Sequence, residues 1–264
     1  MARVSFLMAG VLGTGSLLLA QAFASSPGES AGSGMSRPAA QTPNPAHPPL
    51  TAETRGDIFM ARKMYREAID MYLQGPQDSP VTWNKVGIAF HQLQSLDSAR
   101  RNYEKAVRIN PKYSEAVNNL GTFWYARKNF KRAISLYRRA LLLAPRSASI
   151  YSNLGTALFA RKKYDEAMVS YQKALELDPE VFEHRSSAGV LLQERTVVER
   201  AKFHFYLAKT YAKAGHADRA LQYMRKALEE GFKERAKFLE DEDFAALRPL
   251  PEFEELMKLE PRVL

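Results

Sequence analysis

One pattern recurs along the middle of this chain at a fixed distance. Segments aligned from Pro80, Ser114 and Ala148, a period of 34 residues, and again from Ala201, carry the same residue types at the same places. Place 8 is small (Gly87, Gly121, Gly155, Ala208), and places 20 and 27 are alanine (Ala99, Ala133, Ala167, Ala220; Ala106, Ala140, Ala174, Ala227). Place 24 is large (Tyr103, Tyr137, Tyr171, Met224), and Pro111, Pro145 and Pro179 close the first three segments. Within a segment the apolar positions follow a helical face, as in Trp83, Val86, Gly87 and Phe90. Small side chains let two helices approach, the large one fills the gap between them, and the proline stops the second helix. Such a pair cannot bury its apolar faces alone, so neighbours must stack. The functional question therefore shifts from chemistry in a pocket to recognition along a surface.

These residues resemble the tetratricopeptide repeat (TPR), a helix–turn–helix unit. The resemblance implies an all-α fold, a TPR-type α-solenoid with C-terminal capping helices. Repeats are expected at 80–113, 114–147, 148–181 and 201–234. A degenerate N-terminal copy occupies 51–79, with Gly56, Ala68 and Tyr72 in register, Gly75 where alanine is usual, and an early stop at Gln74-Gly75-Pro76. An insertion occupies 182–200; within it Thr196 and Glu199 read as a capping box, so the next helix is expected to start near Val197. The tail at 235–264 carries Phe238, Phe244, Leu247, Leu250, Phe253 and Leu256 and is expected to cover the bare face of the last repeat.

The first 24 residues have the three parts of a secretory signal peptide: Arg3, an apolar run from Val4 to Ala20, and Ala22-Phe23-Ala24 before Ser25. They imply export, periplasmic or secreted, with cleavage near Ala24; left uncleaved, the segment would anchor the chain in a membrane. Residues 25–50, with six prolines and three glycines, read as a disordered linker. The absence of cysteine excludes both disulfides and a lipidated N-terminal cysteine.

In TPR proteins partners commonly lie on the concave face lined by the first helix of each repeat. Carried over by place, that groove would present Asn84, Lys85, Asn118, Asn119, Thr122, Tyr125, Asn153, Thr156 and Phe159. Short amides can pair with a peptide backbone of any sequence, and rings offer apolar area at low entropic cost. Asparagine at place 6 also has a structural use in the repeat, and Tyr125 and Phe159 can pack between helices instead. One TPR variant grips chaperone C-termini through cations at fixed places. Here those places hold Asn84 and Ile88 in one repeat and Ser149 and Asn153 two repeats on, so that clamp is absent.

The net charge of +9 is unevenly spread. Between Arg100 and Lys173 sixteen Lys and Arg face four Asp and Glu; from Glu229 onward eleven acidic residues face six basic ones. Arg127, Lys128, Arg161 and Lys162 fall in turns between helices, and Lys131, Arg132 and Arg138 on second helices, which would give a basic band once the repeats stack. Chemistry is not indicated, and no cofactor or metal is implied: His47, His91, His184, His204 and His216 have no metal-ligand spacing, and no G-x-S-x-G surrounds Ser186-Ser187. The sequence therefore points to a non-enzymatic protein–protein interaction module of the cell envelope, an adaptor, scaffold or assembly factor. Two alternatives stay open: an electrostatic binder of an anionic membrane surface or envelope polymer, and a scaffold that self-associates through its acidic end and basic middle. Nucleic acid is not an expected partner of an exported chain.

Overall fold

The computed structural model describes residues 49–183 and 196–259. The expected signal peptide, nearly all of the linker, the 184–195 part of the insertion and the final residues 260–264 lie outside the described residues. The described residues are helical, with no strand among them. Five antiparallel pairs follow in order: α1 (Ala52–Ala61) with α2 (Tyr65–Tyr72), α3 (Pro80–Gln92) with α4 (Leu96–Ile109), α5 (Ser114–Ala126) with α6 (Phe130–Leu143), α7 (Ala148–Ala160) with α8 (Tyr164–Leu177), and α9 (Val197–Lys213) with α10 (Ala217–Glu229). The tail forms α11 (Ala236–Glu240), a 3-10 turn (Glu242–Phe244) and α12 (Pro251–Lys258).

Local chemistry sets these boundaries. Pro80 occupies the first turn of α3 behind Ser79, whose side chain accepts from the Thr82 N–H. Pro111, Pro145 and Pro179 each follow a helix cap, and the residue before each leaves the helical region: Asn110, Ala144 and Asp178 have φ of −135°, −135° and −152°. The Thr196–Glu199 capping box is present and starts α9 at Val197. Residues 197–200 thus belong to the last repeat's first helix rather than to the insertion, and α9, at 17 residues, outruns the 13 of α3, α5 and α7.

The turns inside the pairs share one backbone feature. Lys63, Gln94, Lys128 and Lys162 have φ of 57–60°, and Gly215 takes the same role in the last pair at φ 79°. A side chain in this left-handed region costs about 1–2 kcal/mol, which glycine avoids at some loss of chain entropy. We therefore expect Gln94→Gly to gain about 0.5–1 kcal/mol and Gly215→Ala to lose about as much, read as opposite shifts of the thermal midpoint of about 1–4 °C.

The core runs through the stack. The first helices of the first four pairs each bring a glycine against the tyrosine of the partner helix, and Tyr103, Tyr137 and Tyr171 are buried beside Ala99, Ala133 and Ala167. At the C-terminal end Phe205 stacks on Phe232 at 4.5 Å, and Phe238 and Phe244 close around it. Lys209 reaches from α9 to Asp241 and Asp243, and Arg235 donates to the Leu256 and Met257 carbonyls, so the tail is tied down as well as packed. Three short segments replace a continuous helix pair here, because Asp241 and Leu250 are extended and break the chain.

Candidate functional site

Adjacent first helices touch directly, α3 with α5 and α5 with α7, and come closer together than the second helices do. The first helices therefore line the inner side of the stack, and the side chains on it decide what it can hold.

The four asparagines expected there as peptide contacts are turned inward. Asn84, Asn118, Asn119 and Asn153 are only 4, 4, 7 and 1% exposed. Their amides bond one another in a chain across three helices. Asn153 Nδ2 donates to Asn118 Oδ1 (3.0 Å), Asn118 Nδ2 to Asn119 Oδ1 (3.3 Å), and Asn119 Nδ2 to Asn84 Oδ1 (2.9 Å). A buried amide needs a partner, and here the neighbouring repeat supplies it. The amides thus tie α3, α5 and α7 together.

Thr122 and Thr156 are similarly engaged. Each donates to the carbonyl four residues back, Asn118 and Ser152, and each accepts from the tyrosine of the partner helix, Tyr137 at 3.2 Å and Tyr171 at 3.4 Å. Phe159 is 5% exposed and packs edge-on against Tyr164, Phe203 and Tyr206. It is core, because the long α9 lays two rings over it. Lys85 is bound by Glu53 and Asp57, both at 2.7 Å. Burial opposes its charge, but the bonds to Asp57 and Glu53 outweigh burial and hold the ammonium above its ordinary value.

Tyr125 differs from this set. It stays half-buried at the inner edge, with its ring 5.2 Å from Phe130. Two half-buried rings that the places of the repeat also put on this face, outside the candidate set, share the inner side. His91 stands at the equivalent place of α3, its imidazole held below the ordinary value by burial. Tyr206 on α9 stacks on Tyr164 at 4.8 Å, and its hydroxyl is pushed up to about 12 by burial, with Tyr164 and nearby carboxylates adding to the shift. Lys202 lies over the other member of that stack, 4.3 Å from the Tyr164 centroid. His91 was legible from its place in the repeat; the Tyr164–Tyr206 stack was not, since it joins two repeats separated by the insertion.

The expected basic band divides into two groups. Arg132 lies over the Trp124 ring at 3.9 Å, and Arg138 pairs with Glu166 at 3.1 Å. Arg127, Lys128, Lys131, Arg161 and Lys162 are exposed, and no carboxylate among the described residues reaches ion-pair distance of them. Four of these five line one shallow notch of about 380 Å³, together with Asn129 and Phe130.

Comparison with known proteins places the repeats in a family. Models of the tetratricopeptide repeat match residues 87–145, 148–181 and 201–230. The heat-shock protein cognate co-chaperone sgt12 of Aspergillus fumigatus is 31% identical over 100 residues, 37% of this chain and 29% of that protein. A chloroplastic tetratricopeptide repeat domain-containing protein of Arabidopsis thaliana, PYG7, is 29% identical over 87 residues, 30% of this chain and 29% of its own length. The chain thus spans under a third of the curated relatives it matches. Among solved structures, a crystal structure of MamA aligns with 22% identity and a TM-score of 0.45, over 66% of this chain and 93% of that one. MamA from Desulfovibrio magneticus RS-1 gives 20% and 0.46, over 68% and 92%. With three matches falling on the repeated helix pairs just described, the chain is a tetratricopeptide repeat protein.

Proposed function

We propose that this protein is a non-enzymatic adaptor of the cell envelope, holding a segment of a partner protein along the inner side of its first helices. The observation that carries this reading is the division of labour on that side. The amides bond one another, the threonines bond backbone carbonyls and the partner tyrosines, and Phe159 packs in the core, while Tyr125, His91 and Tyr206 remain half-buried at the surface. Such a floor is fixed before any partner arrives, which lowers the ordering cost of binding. Half-buried rings then supply contact area with few rotatable bonds. One relative is named as a co-chaperone. Asn84, Ile88, Ser149 and Asn153 occupy the places where a chaperone-tail clamp needs its cations and amides, so a C-terminal carboxylate is not the feature we assign to the partner.

Selection of random peptides of about twelve residues on the full chain provides the probe, with Tyr125→Ala as the test. The expected result is a loss of at least about tenfold in peptide affinity, the scale of a 1.4 kcal/mol contact, with the thermal midpoint little changed. Leu142→Ala, at an 85% exposed position of α6, should leave affinity unchanged. Selected peptides that respond to Leu142→Ala and ignore Tyr125→Ala would place recognition on the outer side and end this reading. Amidating the peptide C-terminus is expected to have no effect.

A further inference from the structure

The turns between paired helices carry a recurring tripeptide. Ala-Arg-Lys stands at 61–63, 126–128 and 160–162. In all three the arginine caps the first helix (Arg62, Arg127, Arg161) and the lysine takes the left-handed position (φ 60°, 57° and 60°). An arginine at a helix C-terminus has a local reason, since it faces the negative end of the dipole. The lysines share that field, but it does not require them to sit in the left-handed region. Glycine is the less strained choice there, and this chain uses Gly215 at the same point of its last pair. A strained position kept by a cation in three turns of five points to a use for the charge.

The surroundings of the middle turns indicate which use. Arg127, Lys128, Lys131 and Arg161 converge on the notch between two successive repeats with no neutralising carboxylate among the described residues, whereas Lys163, Arg138 and Lys173 nearby are each paired. Four cations around an open notch suit a phosphate-type anion. Phe130 in the same lining does not serve a free phosphate; a ring among cations suits the interfacial zone of a bilayer, where apolar and charged groups meet. The notch is shallow and open, so it cannot enclose a small ion. A row of turn tips can, however, meet several headgroups together.

We propose that this edge docks the protein on an anionic phospholipid surface, with headgroup phosphates between Arg127, Lys128, Lys131 and Arg161. The four cations lie off the inner side of the first helices, although Phe130 borders both that side, through Tyr125, and the notch; neither reading depends on the other.

Cosedimentation of the full chain with phosphatidylcholine vesicles, with and without about 30% phosphatidylglycerol, tests it, the readout being the difference between the two. A variant combining Arg127→Gln, Lys128→Gly, Arg161→Gln and Lys162→Gly removes four cations and relieves two strained turns, so it is expected to fold. Near an anionic surface each cation is worth about 1 kcal/mol, roughly fivefold, so the four together should lower phosphatidylglycerol-dependent binding by about 100-fold or more. The control carries Gln at Arg101, Arg108, Lys112 and Lys213, exposed positions with the same total charge change. It should stay within about fivefold of wild type.

Equal loss in both variants would reduce the effect to net charge and overturn the proposal. Equal binding to both vesicle types would also overturn it. So would release by about 10 mM inorganic phosphate at constant ionic strength, since screening is then unchanged and a discrete phosphate site is shown. Tight binding of polyglutamate without vesicle binding would assign the edge to an acidic protein instead.

Discussion

Replacing Gly121 with alanine is expected to destabilise the protein by about 2–3 kcal/mol, although the same change in an open helix gains about 1 kcal/mol. The reversal of sign comes from Tyr137. A Cβ built on Gly121 would stand 2.5 Å from Tyr137 Cε1 and 2.7 Å from Cδ1. That ring is fully buried, and its hydroxyl donates to Thr122, so it cannot swing aside without losing both packing and a bond. Gly56 with Tyr72, Gly87 with Tyr103 and Gly155 with Tyr171 repeat the contact at 2.3–2.5 Å.

The last pair contains its own control. There Ala208 occupies the glycine's place and Met224 the tyrosine's, and both are fully buried. A thioether chain bends around a methyl group where a rigid ring cannot. Gly121→Ala should therefore be neutral or slightly stabilising in a Tyr137→Met background. The two substitutions are then coupled by about 2 kcal/mol or more, well beyond the near-additivity of independent sites. Denaturation midpoints of the four proteins, followed by helical dichroism, measure this directly. A raised midpoint for Gly121→Ala alone would mean the helices of that pair do not meet as described.

This contact explains why so much of the fold was legible in the sequence. Gly121, Ala133, Tyr137 and Ala140 serve one interface inside one repeat, so the same solution is written again at each period. Sites between repeats are less regular. Tyr125 and Phe159 share a place, yet one is half-buried and the other is core, because Phe159 lies under Phe203 and Tyr206 of the extended α9. Nothing within a single repeat distinguishes them. The fate of the cations was likewise decided by neighbours: Arg138 finds Glu166 in the next repeat, and Arg127 finds no counterpart among the described residues. The asparagines gave a visible but ambiguous signal. Asn118-Asn119 flanked one repeat away by Asn84 and Asn153 is a row of amides, and only the approach of the helices decides whether they meet each other or a ligand.

Asn119→Ala puts that assignment to the test, with an expected loss of about 2–4 kcal/mol. The substitution strips Asn84 Oδ1 and Asn118 Nδ2 of the partners the row gives them, and each buried polar atom left unmatched costs about 1–3 kcal/mol. An amide reaching into an open groove would cost far less, because water would replace its partner. Adding Asn84→Ala should then cost less than Asn84→Ala does alone, since one orphaned acceptor is removed with its side chain. Asn119→Asp adds a sign. Its carboxylate would sit against the Asn84 carbonyl oxygen in a buried setting, so its folded-state pKa lies above the unfolded value near 3.9. The folded state then binds the proton more tightly, and stability relative to wild type falls as pH rises through the folded value and recovers below it. Because the row fixes the distance from α3 to α5 to α7, Asn119→Ala should also weaken selected peptides that Asn119 does not touch. If Asn119→Ala instead weakened peptide binding at unchanged stability, the amides would be the recognition surface after all, and the inner face would be read by hydrogen bonds, not by Tyr125, His91 and Tyr206.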